Sequence, residues 1–315
     1  MSRLTGSISF QEDFFLWTEQ TLSEDKIEVK RAVSESLPVI VNHQSINQPV
    51  SIRQIANQLK AVAQKYELNG KDVSLSIPTR YWLIKSIGIP EGSTEEEAEF
   101  FVYQEMASAL GDAYKEFKIF APGIRRNALR REDLLVAAIR KELIEFFEKV
   151  GSEAELSIQS LTPAAFGMDE LLQRFSPDLP EDAILVGWQR RGMDITIVDS
   201  NGFKKYLFKP YNQQLDEIEK LEVEEILSGF ENMIEEIQQP RGFDKPLFKA
   251  GSIYLYGFHF NPEWLTLLEA QVSVPINILE PSEKATLLVE NQDDGIEPEN
   301  LFKFYEPVST ILATE

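Results

Sequence analysis

A pattern of three strands followed by a helix occurs twice along the chain and restricts the folds open to it. Each half begins with three short segments that are predicted as strands: residues 6–10, 14–20 and 26–31, and residues 183–188, 194–198 and 203–208. Apolar residues at helical spacing then predict helices over residues 51–67 and 214–238. Because hairpin strands followed by strand–helix units form mixed sheets, the repeat predicts an α/β protein with two similar halves.

The stretch between the two repeats carries further predicted elements. Residues 73–77 predict a half-buried strand, and residues 81–87 predict its hairpin neighbour. Ser93-Thr94-Glu95-Glu96 has the spacing of a capping box, so it predicts the start of a helix. Two more strands and a helix over residues 141–150, ended by Gly151, follow.

Length and proline content predict where the chain divides. A chain of 315 residues is too long for one small core, so we expect two domains. Residues 176–180 hold two prolines and are the best linker candidate. We therefore predict a first domain over residues 1–178 and a second over residues 179–315.

The charge balance excludes two classes of direct partner. The chain carries 52 acidic and 31 basic side chains, for a formal net charge of −21. Such a surface repels nucleic acids and anionic lipid headgroups. No apolar run is long enough to span a membrane, and no cysteine is present. We expect a cytoplasmic protein without a nucleic-acid partner and without direct membrane insertion.

Two stretches of the sequence resemble the PilM family of type IV pilus assembly proteins. The first holds a G-K-x-V strand ending in proline, a second strand ending in proline, and an acidic helix with an aromatic element: Gly70-Lys71-Asp72-Val73, Pro78, Pro90 and Tyr103-Gln104-Glu105. The second is a strand that runs directly into a helix, Leu134-Leu135-Val136-Ala137-Ala138. With residues 161–167, these pieces keep the family's order and spacing across about residues 69–175.

The resemblance implies a two-domain actin-like (ribonuclease H-like) fold with a small subdomain inserted at about residues 73–159. It also implies a scaffold under the inner membrane that binds the cytoplasmic N-terminal tail of PilN, a single-span membrane protein. The cytoplasmic domain of the type II secretion protein GspL shares this fold. A GspL-like adaptor for a motor ATPase is therefore an alternative, and a motor ATPase or a second copy of the chain stays open as a further partner.

Actin-like ATPases hold phosphate in two hairpin turns that read Asp-hydrophobic-Gly followed by small hydroxyl residues, where glycine lets backbone amides approach. The first turn should lie between the first two strands, but Gln11-Glu12-Asp13 stands there without glycine. Its two carboxylates would repel a triphosphate, and Asp13 lies on the wrong side of the turn. The first phosphate-binding turn is therefore predicted to be degenerate, that is, to lack the residues that hold phosphate.

The other two nucleotide contacts are altered as well. The second turn reads Gly187-Trp188-Gln189 and is followed by two arginines, which leaves either an altered anion site or a plain hairpin turn. The adenosine contact keeps only Gly257, and Phe258 and the two residues after it would fill the space of an adenine. We expect no cofactor, with ATP and magnesium required only if the chain is a diverged ATPase.

Aromatic residues suggest a groove for the partner's tail. The family's peptide groove lies between the first domain and the inserted subdomain. Phe14, Phe15 and Trp17 from the second strand, with Tyr81 and Trp82, are the predicted lining residues, although a strand of this type also builds cores.

No catalytic constellation is predicted. His43 and His259 fall in different predicted domains, so they share no metal or proton relay, and no metal site is expected. The sequence favours a non-catalytic scaffold, a pseudo-ATPase, in a type IV pilus or related secretion machine. A diverged ATPase of the actin and sugar-kinase fold is the alternative enzyme.

Overall fold

The computed structural model describes ten segments of the chain: residues 4–23, 26–68, 72–90, 92–121, 133–175, 182–199, 202–238, 250–280, 286–289 and 298–314. The chain forms two compact units. We call the larger one, Met1–Leu37 with Ala61–Thr79 and Ser157–Glu315, the two-sheet unit. The smaller one, Pro38–Lys60 with Arg80–Leu156, is the inserted unit.

The described residues contain both strands and helices throughout. The strands are β1 (Leu4–Phe10), β2 (Phe14–Ser23), β3 (Lys26–Ser36), β4 (Asp72–Ile77), β5 (Trp82–Gly88), β6 (Phe117–Phe120), β7 (Asp133–Arg140), β8 (Ser157–Pro163), β9 (Ala183–Gln189), β10 (Gly192–Asp199), β11 (Gly202–Pro210), β12 (Ser252–Tyr256), β13 (Ile276–Ile278) and β14 (Thr286–Val289). The α-helices are α1 (Pro49–Lys65), α2 (Glu95–Leu110), α3 (Lys141–Ala154), α4 (Ala164–Phe175), α5 (Val223–Gln238), α6 (Leu265–Glu269) and α7 (Tyr305–Thr310).

Two sheets with the same connectivity form the two-sheet unit. The first has the order β14-β3-β2-β1-β4-β8, and the second has the order β11-β10-β9-β12-β13. In each sheet, the first three strands form an antiparallel meander. The first strand of the meander also pairs in parallel with the strand that follows the meander in the sequence, β1 with β4 and β9 with β12. The predicted duplication and the α/β class are confirmed.

The C-terminal part of the chain returns to the first sheet. Strand β14 pairs in parallel with β3, and α7 packs against β1, β2, β4 and α4. At Gly167 a side chain would lie 2.7 Å from the Ser309 carbonyl oxygen, so glycine allows α4 and α7 to approach closely. The proposed boundary at residue 178 stays a prediction, because residues 176–180 lie outside the described part of the chain.

The core of the second sheet is built around Trp188. Its side chain is fully buried and stacks on Tyr211 and Phe230, with ring centroids 6.0 and 5.9 Å away. Phe260 and Trp264 close the other sides, at 5.9 and 5.4 Å. Since successive side chains of a strand point to opposite faces, Trp188 and its neighbours Gly187 and Gln189 face different layers.

A three-stranded sheet of order β5-β7-β6 forms the inserted unit, with α2 on one face. Ala98, Val102 and Met106 recur every fourth residue on α2 and are buried against this sheet. The helix begins at a capping box, in which Thr94 Oγ1 accepts from Glu97 N at 3.3 Å and Thr94 N donates to Glu97 Oε2 at 2.8 Å. The predicted box exists, one residue later than the sequence pattern placed it.

Three predicted elements differ from the structure. Residues 81–87 are not the hairpin neighbour of β4, because β1 and β8 already occupy both edges of β4, and β5 pairs with β7 instead. Helix α3 continues through Gly151 and ends where Glu155 adopts a left-handed conformation. The helix predicted over residues 214–238 begins only at Val223.

Replacement of Trp188 by alanine should strongly destabilise the protein. The substitution leaves a cavity between four aromatic rings, so we expect the free energy of unfolding to fall by about 3–5 kcal/mol. Urea unfolding followed by circular dichroism measures the change. Leu267→Ala on α6, where the side chain is 47% exposed, is the control and should cost no more than about 0.5 kcal/mol. Equal losses in the two variants would contradict the assignment of Trp188 to the core.

Candidate functional site

Two turns of the two-sheet unit face each other. The turn between β1 and β2 carries Glu12 and Asp13, and the turn between β9 and β10 carries Arg190 and Arg191. An ion pair joins Arg190 Nη1 to Asp13 Oδ2. Arg191 Nη1 lies 3.5 Å from Glu12 Oε2. The acidic turn of the first sheet is therefore held against the basic turn of the second.

Glu217 binds both arginines from outside the turns. Its Oε1 lies 3.2 Å from Arg191 Nη2, and its Oε2 lies 3.6 Å from Arg190 Nη2 and 2.8 Å from Lys220 Nζ. Hydrogen bonds from Lys220 and Arg191 lower the pKa of the Glu217 carboxyl to about 2. Burial opposes the charge on Arg190, but the carboxylate of Asp13 raises its pKa nevertheless.

The Glu217 contacts explain why the long predicted helix begins late. Ile218 N donates to Arg190 O at 2.7 Å, and residues 218–220 form a single turn of 3₁₀ helix ahead of α5. This turn brings Glu217 to the arginines, which a continuous helix from residue 214 does not do. Tertiary contacts have overridden a helical pattern here.

A buried carboxylate lies behind the two turns. Glu306, on α7, is 3% exposed. Its Oε2 accepts from Ser9 Oγ at 2.9 Å and from Gln11 Nε2 at 2.5 Å, and its Oε1 accepts from Gln189 Nε2 at 2.5 Å. Ser9 and Gln11 belong to the first sheet and its turn, and Gln189 belongs to the second sheet. One carboxyl group therefore joins both sheets.

The environment of this carboxyl group makes its charge costly. Burial and the nearby charge of Asp194 raise the pKa of Glu306 to about 7, although hydrogen bonds from Ser9, Gln189 and Gln11 favour the ionised form. Burial and the negative charge of Glu306 also raise the pKa of Tyr256. Asp194 itself accepts a hydrogen bond from the Tyr206 hydroxyl. The interior between the sheets is thus polar and acidic.

Gly187 and Gly257 each allow a close approach by another part of the chain. A Cβ atom on Gly187 would lie 2.6 Å from the Tyr256 ring and hydroxyl, so glycine makes room for that tyrosine. Gly257 has φ +112°, and a Cβ atom there would lie 2.7 Å from Trp188 N. Both positions were predicted as degenerate nucleotide contacts, and that role stays a prediction.

An aromatic group follows β12. The Phe258 ring lies 5.3 Å from Phe14 and 6.2 Å from Phe304. His259 lies with its ring 5.5 Å from that of Phe14, and burial lowers its pKa against the opposing effect of Glu219. Phe260, in contrast, is buried against Trp188. That these three residues fill the space of an adenine stays a prediction.

The structure brings together some of the predicted nucleotide-site residues and separates others. Gln11 and Gln189 meet at Glu306, and Asp13 meets Arg190. Trp188 lies in the core on the opposite face of β9, so its side chain has no part in the facing turns.

The predicted partner-binding residues occupy different environments. Phe15 and Trp17 are fully buried in the sheet core, and Phe14 is half-buried against Phe258. The Tyr81 hydroxyl donates to Val41 O at 3.1 Å within the inserted unit. Trp82 is buried with its ring 6.0 Å from Phe120, and its indole N–H has no acceptor among the described residues. Their contact with a partner stays a prediction.

Sequence reasoning missed Glu306 and Glu217. The signal for Glu306 was present, because residues 301–312 read as an apolar helix and contain a single glutamate beside a proline. A charged residue that is buried in this way needs partners, and these are the polar residues of β1 and β9. Glu217 carried no comparable signal, since acidic residues surround it in the sequence.

Two further features are absent from the described residues. No helix among them is both long and apolar enough to span a membrane. They also contain no group of three or more His, Cys, Asp or Glu side chains that could hold a metal ion.

Solved structures of other proteins have the same fold as this chain. The PilM-PilN type IV pilus biogenesis complex matches with a TM-score of 0.74 and 14% identity, covering 99% of this chain and 98% of that chain. The cytoplasmic domain of EpsL, an inner membrane component of the type II secretion system of Vibrio cholerae, matches with a TM-score of 0.53 and 8% identity, covering 99% and 96%. The predicted two-domain actin-like fold is confirmed.

Sequence comparison gives the family. The profile described as type IV pilus assembly protein PilM matches residues 17–187, which is just over half of the chain. The chain therefore belongs to the PilM family of type IV pilus assembly proteins, as its motifs indicated. No curated protein matches it.

Glu306→Gln should flatten the dependence of stability on pH. In the folded protein the Glu306 carboxyl keeps its proton up to a pH of about 7, whereas its ordinary pKa is 4.5. The folded state holds more protons between these values, so the free energy of unfolding of the wild type falls as pH rises through this window. The loss is on the order of 3 kcal/mol. Glutamine has no proton to lose, and the variant should lack this decline.

Urea unfolding at a series of pH values across this window measures the difference between the two proteins. Asp169→Asn is the matched control, since burial raises the pKa of Asp169 to about 6 at a site away from Glu306. That variant should lose only the part of the decline below a pH of about 6. Parallel curves for wild type and Glu306→Gln would show that Glu306 is not the titrating group.

Proposed function

We propose that the chain is a non-catalytic scaffold of a type IV pilus or related secretion machine. In this proposal it binds the cytoplasmic tail of an inner-membrane PilN-like protein. The observation that carries the non-catalytic part is the carboxylate of Glu306, which takes the hydrogen-bond donors between the two facing turns. Membership of the PilM family supports the machine to which the scaffold belongs.

The residues of the two turns do not fit a nucleotide. A triphosphate needs free backbone amides and cations, but Arg190 and Arg191 are already paired with Asp13, Glu12 and Glu217. Bringing phosphate beside these carboxylates costs repulsion in a partly buried site. We infer that neither ATP nor magnesium is a cofactor of this chain.

The partner is inferred from a similar assembly. The solved complex that this chain resembles contains PilM together with PilN. A chain with a net charge of −21 favours a tail that carries Lys and Arg. We infer that this tail holds the protein at the cytoplasmic face of the inner membrane.

Two alternatives make different use of the same fold. A diverged ATPase would need the arginines to exchange their carboxylate partners for phosphate. A GspL-like adaptor would bind a secretion motor ATPase, and the structural similarity to EpsL favours considering it.

Calorimetric titration of the full chain with magnesium and ATP tests the non-catalytic proposal. We expect no binding heat at millimolar nucleotide, because the chain's own side chains occupy the turns. The double variant Arg190→Ala/Arg191→Ala should give the same result. Micromolar binding by the wild type that the double variant loses would establish an arginine-dependent phosphate site and support the diverged ATPase instead.

Fluorescence anisotropy with a labelled peptide tests the partner. The peptide is the cytoplasmic N-terminal segment of the PilN-like protein encoded in the same genome. We expect specific binding that Tyr81→Ala weakens about tenfold, as loss of one aromatic contact at an interface does. Leu267→Ala is the control and should bind like the wild type. Absence of binding at high micromolar protein would refute the tail as a partner without bearing on the ATP result.

A further inference from the structure

The outer face of α2 presents two aromatic side chains one helical turn apart. Phe100 is 57% exposed and Tyr103 is 54% exposed, although the opposite face of the same helix is buried. Positions three residues apart are neighbours on a helix, so the two rings form one surface. We call Phe100 and Tyr103, with Phe101 and Tyr114 beside them, the aromatic ridge.

The ridge is held in place by its neighbours. Tyr103 packs edge-on against Tyr114 with ring centroids 4.8 Å apart, and Phe100 packs edge-on against Phe101 at 6.4 Å. The capping box fixes the start of α2, and its buried face fixes the rotation of the helix. Rigid aromatic side chains that are already ordered lose little entropy on binding, which is why they dominate many interfaces.

Carboxylates border the ridge. Glu96 precedes Phe100 by four residues and Glu99 precedes Tyr103 by four, so each lies beside one ring on the helix surface. Both glutamates are exposed. Negative charge next to the faces of two aromatic rings attracts guanidinium and ammonium groups through ion pairs and cation–π contacts together.

We propose that the aromatic ridge docks a basic segment of another protein, one that carries Arg or Lys with apolar side chains between them. Charge complementarity selects this occupant. A second copy of the chain would bring a further net charge of −21 against exposed glutamates. The ridge is distinct from Tyr81 and Trp82 and from the facing turns, so it is a second interaction surface.

A photo-crosslinking residue at position 100 identifies the occupant. The full chain with p-benzoylphenylalanine in place of Phe100 is expressed in the source cells, and the crosslinked segment is mapped by mass spectrometry. A synthetic peptide of that segment is then titrated into the purified wild-type chain. We expect an Arg- or Lys-rich segment of a different protein that binds specifically.

Two matched pairs of substitutions test the contacts with that peptide. Phe100→Ser/Tyr103→Ser should weaken binding about tenfold or more, since the rings are the expected energetic centre. Leu215→Ser/Leu267→Ser removes two side chains of similar exposure, 50% and 47%, and should leave binding unchanged. Glu96→Lys/Glu99→Lys should also weaken it, with a loss of salt dependence. Circular dichroism verifies that each variant folds.

Other outcomes overturn the proposal. A crosslink to a second copy of the chain, to an acidic segment, or to nothing would refute the basic partner. Equal losses in the two serine variants would show that the ridge is not the specific binding surface. Binding of the PilN-like tail should be unchanged in Phe100→Ser/Tyr103→Ser, so failure of this proposal is separable from failure of the scaffold function.

Discussion

The two-sheet unit depends on the hydrogen bonds that the carboxyl group of Glu306 accepts. It accepts hydrogen bonds from Ser9 and Gln11 of the first sheet and from Gln189 of the second. Loss of this acceptor would take the partner from the Ser9 hydroxyl and the Gln189 amide, and would leave the Gln11 amide only Ser9 Oγ at 3.3 Å. A buried donor without a partner costs free energy. Because hydrogen bonds act only over short distances, these bonds fix the separation of the two sheets and also stabilise their packing.

The ion pairs between the two turns also join the two sheets. Arg190 and Arg191 bind carboxylates of both the first turn and the segment before α5. Burial shows which of the two interactions contributes more to stability. Glu306 is buried and costly to ionise, whereas the arginine pairs are partly exposed and weaker individually.

The sequence predicted most of the fold, because the fold is carried by local patterns. Short apolar segments bounded by polar residues located β1, β2 and β9 to within a few residues, and helical spacing located α1. Two of the three failures occurred where partners distant in the sequence decide the structure. Residues 214–222 have helical periodicity but turn to bring Glu217 to two arginines, and β5 could not pair with β4 because both edges of β4 were taken. The candidate site was located by its glycine-poor turns, but its centre at Glu306 lies near the other end of the chain.

The closure of the first sheet by α7 and β14 has a consequence during synthesis. Ser9 and Glu306 are 297 residues apart, so the strand that carries Ser9 leaves the ribosome long before residue 306 is translated. At about 5–20 residues per second, that interval is on the order of tens of seconds. Until then Ser9 and Gln11 lie at an unfinished sheet face. The nascent chain therefore passes through a long period in which its first half is exposed to chaperones and to premature association.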